Sequence, residues 1–595
     1  MKRPYLNEIQ TSRTMIDVFR GYNHNLRISD GEFFDMENLT SNHYPVLSPR
    51  SPRGVYLQAR NIQGMIAKDH LCYVEDGRLY INGNDVGLSL STAGEKQLVS
   101  MGAYLCIFPD GQYINTVDYS DCGFMECKKT STAAVTFTPC KSDGSDLNAV
   151  VGAEPADPSD GQYWMDTTVS PNALKVWSDT NAMWTQVATS YIRISSPEGG
   201  EDAIGYGFFE SDGVEISGLE NHTNQNLSQI NGNVIIQSVA EDRKSIVIIG
   251  LLDNVVTVEN TPVTIHRKIP DMDFVVESEN RLWGCKYGSV NGKTVNELYA
   301  CKLGDFKNWN CFMGLSTDSY AASVGSDGPF TGAISYLGFP LFFKEECLHK
   351  VYGNYPANFQ IQELACRGVQ KGCGKSLAIV NEVVYYKSKS GVCAYDGSLP
   401  VEISAAFGAD RYGLTTPEER LVGIFGASGG CTGNKYYASM RKDGTEEYHL
   451  FVYDTQYGIW HREDAVKVDF FCFCNNELYL AMDGEIRTVS GSPADEKVRW
   501  MAETGVIGIE SPDKKRLSRL SVRLSAGPDT EVRIFADYDS AGDWKCVYTR
   551  TSTSLKSVAV PIRTRRHDHL RLRIEGEGDA KIYSITKTID QGSDI

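Results

Sequence analysis

Apolar and polar residues alternate in short segments along most of the chain, and turns rich in Gly, Asp and Asn separate the segments. Residues 373–404 are one example and read CGKSLAIVNEVVYYKSKSGVCAYDGSLPVEIS. Alternation with a period of two predicts β-strands with one buried face, and Asn and Asp-Gly accept the positive φ of tight hairpin turns. The segment is therefore predicted to be a hairpin, and it contains no pattern of residues typical of catalysis.

The hairpin pattern recurs along the chain. Clear copies lie at 70–83, 103–116, 435–461 and 471–491, and looser copies lie at 278–312 and 332–353. Units of about 40 to 50 residues with four strands each are typical of β-propeller blades. Helical periodicity is nearly absent, with short candidates only near 362–370 and at 416–420. The sequence therefore predicts an all-β protein built on an irregular β-propeller.

Two interruptions of the blade pattern predict the domain organisation. From about Thr136 to Ile269 a Trp-rich segment is followed by alternating strands of a small barrel or sandwich, and after Val498 a separate antiparallel sandwich is expected to start near Ile507. We expect the segments before Thr136 to close with those after Val276. The predicted domains are an N-terminal arm (1–60), first propeller segments (61–135), a Trp-rich β insertion (136–190), a β-barrel or sandwich domain (191–275), the remaining blades (276–506) and a C-terminal β-sandwich (507–595).

Composition and charge narrow the classes of function. The formal net charge of -18 disfavours tight wrapping of a nucleic-acid backbone. The N-terminus lacks the apolar stretch of a signal peptide, and the longest apolar run, 245–256, is too short to span a bilayer. The 16 cysteines include no C-x-x-C pair, so we expect reduced thiols and folding in a reducing cytosol.

No local motif identifies an active site. The sequence contains no G-x-S-x-G, H-E-x-x-H, Walker or dinucleotide-binding pattern and no complete sialidase-type Asp box. His567-Asp568-His569 places two imidazoles on one strand face, but the arginines around it disfavour a metal cation, so a structural or interface role is preferred. Catalytic, cofactor-binding and metal residues are therefore predicted to be absent, and the protein is expected not to be an enzyme. A glycoside hydrolase stays open as an alternative, because its carboxylates leave no local pattern.

Two segments are candidates for binding. Trp164, Trp177 and Trp184 lie among short strands and can stack on sugar rings, although burial in a small β module is the commoner fate of such residues. The second segment, PIRTRRHDHLRLR at 561–573, is the only dense basic stretch in an acidic chain, and it can contact DNA or an acidic neighbouring subunit or simply be solvated. Its candidate contact residues are Arg563, Arg565, Arg566, Arg571 and Arg573.

Several phrases of the sequence resemble a family of phage virion proteins. The N-terminal FRGYNHNLRISDGEFFDMENLTSNHYPVLSPRSPRGV (19–55) resembles the opening of proteins related to the tail nozzle, also called tail tubular protein B of podovirus-type phages. The phrases ENRLWGC (279–285), LYACKLGDFKNW (298–309), TGAISYLGFPLFFKEECLHKVYG (331–353) and VVYYKSKSGVCAYDG (383–397) resemble successive blade segments of that family. The resemblance covers 1–130 and 190–595, and the region from 136 to 190 departs from it as an accessory insertion.

The resemblance implies a structural protein of the virion tail, assembled in the cytoplasm of the bacterial host. It implies an irregular propeller joined to platform-like β domains, in a homo-oligomeric ring that we expect to be hexameric. Such a ring lies below the portal and contacts the head–tail connector or adaptor and the tail fibre or spike proteins, and genomic DNA is retained in and ejected through its lumen. The alternative is a host-surface glycan-binding adhesin or receptor-binding propeller protein that uses the tryptophan-rich insertion.

Overall fold

The computed structural model describes residues 11–220, 225–408, 426–482, 484–492, 494–509, 514–562 and 566–591. Nearly all of its regular structure is β-strand. The described helices are one α-helix, α1 (Gln225–Gln229), and short 3-10 turns at Gly200–Asp202, Pro356–Asn358, Gly374–Ser376 and Ala405–Phe407. None of the helices in these ranges has the length and apolar character needed to cross a membrane.

The N-terminal region contributes strands to three different sheets. These strands are β1 (Thr11–Ile16), β2 (Phe33–Glu37), β3 (Leu39–Thr40), β4 (Ser48–Pro49) and β5 (Gly54–Gln58). Strands β3 and β4 pair with each other, whereas the other three join sheets made from the C-terminal part of the chain.

The first two blades follow directly. They consist of β6 (Ile62–Lys68), β7 (His70–Glu75), β8 (Arg78–Ile81) and β9 (Asn84–Ser89), and of β10 (Gln97–Met101), β11 (Tyr104–Phe108), β12 (Gln112–Asn115) and β13 (Cys122–Phe124). Their hairpins form for the reason given by the sequence: at the turn between β7 and β8, Asp76 and Gly77 both have positive φ. A side chain at Gly77 would also meet the carbonyl oxygen of Leu90 at 2.7 Å, so this turn requires glycine.

A second domain is inserted after the second blade. Its eight-stranded sheet has the order β14-β25-β21-β22-β23-β20-β15-β24 and surrounds an apolar core of its own. A separate four-stranded sheet, β16–β19, lies within this insertion. The strands are β14 (Cys127–Ser131), β15 (Val135–Cys140), β16 (Val150–Gly152), β17 (Tyr163–Asp166), β18 (Ala173–Ser178), β19 (Met183–Gln186), β20 (Tyr191–Ser195), β21 (Gly213–Ser217), β22 (Gly232–Val239), β23 (Ser245–Ile249), β24 (Val256–Val258) and β25 (Val263–Arg267).

Four further blades and most of a fifth come next. They are built from β26 (Phe274–Ser278), β27 (Arg281–Val290), β28 (Lys293–Ala300) and β29 (Tyr320–Ser323); β30 (Gly332–Tyr336), β31 (Phe339–Phe343), β32 (Cys347–Tyr352) and β33 (Gln360–Ala365); β34 (Ala378–Val380), β35 (Val383–Lys387), β36 (Val392–Tyr395) and β37 (Val401–Glu402); β38 (Ala427–Thr432), β39 (Lys435–Arg441), β40 (Tyr448–Asp454) and β41 (Ile459–Arg462); and β42 (Phe470–Cys474), β43 (Glu477–Met482) and β44 (Glu485–Thr488). The hairpin at 373–404 lies in the third of these sheets.

Strand β5 closes the propeller. It pairs antiparallel with β44 as the fourth strand of the seventh blade, and the innermost strands β42 and β6 contact each other. Strand β10 likewise lies beside β26, so the segments before Thr136 do close with those after Val276. The all-β propeller fold with inserted and C-terminal β domains is therefore confirmed, and the described strands form seven four-stranded blades.

The C-terminal sheet contains β45 (Arg499–Thr504), β46 (Lys515–Tyr538), β47 (Lys545–Val560), β48 (Leu570–Glu577) and β49 (Ala580–Gln591). It takes up β1 beside β49 and β2 beside β45, and it starts before the expected position near Ile507. The apolar core of this sheet is continuous with that of the adjacent blades. One short helical expectation is wrong, because part of 362–370 belongs to β33, where pairing with β32 determines the conformation; the other, at 416–420, lies outside the described residues.

Two buried arginines attach the N-terminal region to the segments that follow the last two blades. The Arg53 guanidinium donates to Glu463 Oε2 at 2.7 Å and to Asp464 Oδ1 at 2.8 Å, and Arg50 donates to Glu496 Oε1 at 2.7 Å. Burial opposes ionisation of Asp464, but the charges and hydrogen bonds of the two arginines outweigh it and lower the pKa of this carboxyl. The ion pairs of Arg50 and Arg53 therefore fix the position of the chain directly before β5, the strand that closes the propeller.

Candidate functional site

The strands β16–β19 form a small module, residues 141–190, on one hairpin of the inserted domain. Cys140 at the end of β15 and Tyr191 at the start of β20 are directly paired, so the module enters and leaves the domain at adjacent positions. It replaces the tip of the β15–β20 hairpin. Its position explains how it can be present without disturbing the sheet that carries it.

One face of the module sheet forms its apolar core. Leu147, Met165 and Leu174 are buried together, and Leu251 of the larger inserted domain packs against them. This face holds the module on the domain. The residues next to Met165 in β17 and next to Leu174 in β18 therefore place their side chains on the opposite face of the module sheet.

The three tryptophans lie on the opposite face. Trp164 pairs with Lys175 across β17 and β18, and Trp177 pairs with Trp184 across β18 and β19. Directly paired residues share a face, and positions 175 and 177 share one through the period of two. We call Trp164, Asp166, Lys175, Trp177 and Trp184 the tryptophan face.

The rings of the tryptophan face are in contact but are not coplanar. The ring centroids of Trp164 and Trp184 are 5.2 Å apart with planes inclined by 58°, and those of Trp177 and Trp184 are 5.4 Å apart with planes inclined by 65°. Trp164 is buried, whereas Trp177 and Trp184 are half-buried. The predicted tryptophans are therefore brought together, and two of them remain accessible.

The three indole N–H groups have different partners. Trp164 Nε1 donates to the carbonyl oxygen of Gly152 at 2.9 Å, and Trp177 Nε1 donates to Asp179 Oδ1 at 2.7 Å. Trp184 Nε1 is buried and has no hydrogen-bond acceptor in the described part of the chain. A buried donor without an acceptor is costly, so a ligand oxygen that reached this atom would be stabilising.

An ion pair fixes one edge of the tryptophan face. Lys175 Nζ lies 2.7 Å from Asp166 Oδ2 and 4.8 Å from the centre of the Trp164 ring. The hydrogen bond from Lys175, together with one from the Thr168 hydroxyl, lowers the pKa of Asp166 to about 2. Lys175 is thus neutralised within the module and covers the ring of Trp164.

The basic segment at 561–573 is arranged differently. Arg563 and Arg565 lie outside the described residues, and Arg566 is exposed. Arg571 donates to Glu503 Oε1 at 2.7 Å and Arg573 to Glu503 Oε2 at 2.8 Å. Both guanidinium groups also lie over the Trp544 ring, at 5.7 and 4.1 Å.

Arg571 and Arg573 therefore have partners within the chain, without a second subunit or DNA. The two histidines beside them also have nearby partners: His567 is buried against Tyr538, and His569 Nδ1 donates to Asp568 Oδ2 at 2.7 Å. Among the described residues there is no cluster of three or more potential metal ligands.

A polar cavity of about 330 Å³ lies where the innermost strands of the first and seventh blades begin. The Lys375 ammonium extends from the fifth blade to Glu95 Oε1 at 2.6 Å, ahead of the second blade, and lies 4.3 Å from the centre of the Phe470 ring of the seventh. Burial raises the pKa of Glu95 despite this ion pair. The residues link three blades across this end of the propeller.

Comparison with known proteins gives only remote structural similarity. No protein-family model and no curated protein matches the sequence. The chain is similar to an exo-beta-1,3-galactanase from Phanerochaete chrysosporium with galactose, at a TM-score of 0.20 and 7% identity over 53% of this chain and 94% of that chain. A galactotriose complex of that enzyme gives 0.20 and 8% over the same shares, and a protein described as a glycoside hydrolase gives 0.17 and 12% over 52% and 83%.

This comparison contradicts the expectation that the protein is not an enzyme, because the structures it names are glycoside hydrolases. The expectation relied on the absence of local motifs, and the carboxylates of glycosidases come from separate strands without such a motif. TM-scores of this size assign no reaction and no catalytic residue to this chain.

Sequence reasoning identified the tryptophans but missed their polar neighbours. Asp166 and Lys175 are nine residues apart, and only the register of β17 against β18 brings them together. The period of two through Lys175 and Trp177 is the one sequence signal that places this lysine on the tryptophan face.

Proposed function

We propose that the protein binds glycans through the tryptophan face of its inserted module. The observation that carries the proposal is the placement of three tryptophans on the face opposite the module's apolar core, with the buried N–H of Trp184 lacking an acceptor among the described residues. Tryptophans needed only for packing would be expected in the apolar core. An accessible indole ring, as in Trp177 and Trp184, offers a sugar a large apolar surface.

The module deletion tests this proposal without unfolding the protein. Because Cys140 and Tyr191 are directly paired, an Asn-Gly turn can join them in place of residues 141–190. Leu251, which the module covers, is changed to Thr in the same variant. We expect normal folding by circular dichroism and complete loss of binding on a glycan array.

Two further variants separate the site from the module. Trp177→Ala with Trp184→Ala removes the accessible rings and should abolish binding as the deletion does. Met183→Ala is the matched control, because Met183 is 55% exposed and adjacent to Trp184 but lies on the other side of β19. Full binding by the double tryptophan variant would refute the proposal.

The resemblance to phage tail proteins supplies a setting for this activity. A virion protein that binds glycans would act at the surface of the bacterial host, as the adhesin alternative requires. Immunogold labelling of the particle with antibodies to the module tests this setting, since labelling of the tail tip supports it and labelling confined to the capsid contradicts it.

A second candidate function is the ring-forming tail conduit. The feature that favours it is β47, which pairs only with β46 among the described strands and whose charged residues, Lys545, Arg550 and Lys556, are all basic. An unpaired strand edge is a template for pairing with another chain, and a copy of this acidic chain would complement its charge. The intrachain pairing of Arg571 and Arg573 with Glu503 removes the support that the basic segment had given this candidate.

Light scattering of the purified protein distinguishes the two candidates. A conduit should form a closed oligomer that Thr551→Pro on β47 dissociates and the module deletion leaves intact. A monomer at all concentrations would contradict the conduit and leave glycan binding unaffected.

A further inference from the structure

The geometry and charge of the tryptophan face also define its ligand, on the assumption that the proposed function is right. We infer that the face takes one sugar residue that carries no acidic group, at the end of a glycan chain. Two independent observations lead to this inference. The inclination of the rings limits the site to one sugar residue, and the acidic character of the module excludes negatively charged sugars.

Several consecutive sugars can stack only where aromatic rings present a continuous flat surface. Here the plane of Trp184 is inclined by 58° to that of Trp164 and by 65° to that of Trp177, so Trp184 forms no such surface with either ring. When a sugar stacks on one indole, the next indole projects beside that sugar. The glycan chain therefore cannot continue across the second ring.

The outer limits of the site are also fixed. Trp164 is buried, and the Lys175 ammonium lies 4.8 Å from the centre of its ring, so this ring is closed to a sugar. Only Trp177 and Trp184 remain, and their centroids are 5.4 Å apart. Because the site contains only two rings and is closed on the side of Trp164, it accepts the last sugar residue of a glycan chain.

The charge of the module selects among terminal sugars. Residues 141–190 contain seven acidic residues, at 143, 146, 154, 157, 160, 166 and 179, and two lysines, at 141 and 175. Lys175 is paired with Asp166. At the accessible ring, Asp179 accepts the Trp177 N–H and its own backbone N–H donates to Asp160, so two carboxylates flank the site.

Carboxylates beside an indole accept hydrogen bonds from sugar hydroxyl groups and repel a second carboxylate or a phosphate. The uncompensated cation that a sialic or uronic acid requires is absent from the described part of the tryptophan face. Sugars without an acidic group are the remaining class.

The test uses the full chain on an array of matched glycans. Each neutral chain ending in glucose, galactose, mannose or N-acetylglucosamine is paired with the same chain ending in glucuronic or sialic acid. We expect binding to at least one neutral end and about tenfold or greater weakening when that end is acidic, which corresponds to about 1.4 kcal/mol.

Chain length tests the terminal position. For the best neutral sugar, calorimetry should give dissociation constants for the di- and hexasaccharide that agree within about twofold, since a 1.4 kcal/mol gain for further subsites would be tenfold. Asp160→Asn should reduce the discrimination against acidic ends, and Asp157→Asn, an exposed acid of the same module, should not.

Each result has a distinct meaning. Preference for an acidic end, or a hexasaccharide bound about tenfold or more tightly than the disaccharide, overturns this inference and leaves glycan binding in place. Absence of binding to every glycan overturns the proposed function and this inference together.

Discussion

The tryptophan face and the basic segment at 561–573 are both clusters of residues that often bind ligands, but their partners differ. Arg571 and Arg573 share Glu503 and lie over Trp544, so their charges and planar faces are used within the chain. Trp177 and Trp184 are half-buried on an outer face, and one buried N–H has no acceptor among the described residues. The comparison shows that residue types in the sequence can locate a cluster of ligand-binding side chains. Whether such a cluster can bind a ligand depends on how many of its groups are left without partners in the folded chain.

The largest effect that separates the two regions should come from the tryptophans. Trp177→Ala combined with Trp184→Ala should weaken binding of a neutral glycan about 100-fold or more, because each removed ring is a central contact worth about 2 kcal/mol. Calorimetry measures this, and Met183→Ala should stay within about twofold of the original protein. A loss of similar size in the Met183 variant would mean that the module had unfolded.

A substitution that disturbs the basic segment should lower the stability of the protein and leave its glycan affinity unchanged. Glu503→Gln leaves Arg571 and Arg573 without their shared carboxylate, and we expect a loss of about 2 kcal/mol after allowing for the partial exposure of both arginines. Urea denaturation measures the change. Glycan affinity should be unaltered, and a weakened affinity would contradict the separation of the two regions.

Acid should also distinguish the propeller from the module. Burial, assisted by the charge of Lys435, lowers the pKa of His461 in β41 to about 3. Below about pH 6.5 the unfolded chain binds a proton at this position that the folded chain does not, so stability falls by up to about 1.4 kcal/mol per pH unit as the pH decreases. Denaturation midpoints at pH 7, 6 and 5 measure the slope, and His461→Gln should reduce it.

The ion pair of the module has a lower pH window. The pKa of Asp166 is lowered to about 2, so its contribution is present above the unfolded value of about 4 and is lost only as the pH falls from about 4 to about 2. Glycan binding should therefore persist at pH 5, where the propeller is already less stable. Loss of binding in parallel with the propeller between pH 7 and 5 would refute this.

The smallest effect concerns the stacking of the arginines. Arg573→Lys keeps the charge but loses the planar contact with Trp544 at 4.1 Å and the fixed geometry toward Glu503. We expect a destabilisation of about 1 kcal/mol, measured by urea denaturation. Lys556→Arg on the exposed edge strand β47 is the matched control and should have no effect.

The blades and the tryptophan cluster were predictable because both are local in sequence. The turn Asp76-Gly77 and the alternation around it are visible within about ten residues, as are Trp177 and Trp184. Strand β5 as part of the seventh blade was not predictable, because its partner β44 lies more than 400 residues further along the chain. The same holds for Glu503, whose bonds to Arg571 and Arg573 span 68 and 70 residues.

The strand that completes the seventh blade has a consequence for how the chain is made. Strand β5 ends at Gln58 and its partner β44 ends at Thr488, so at roughly 10 residues per second the ribosome needs about 40 seconds to deliver the partner. The inserted domain, whose strands all lie between Cys127 and Arg267, is complete well before that. A nascent chain therefore carries a complete tryptophan module while β5 still lacks its partner β44. A chain that ends before β44 is made cannot close the propeller.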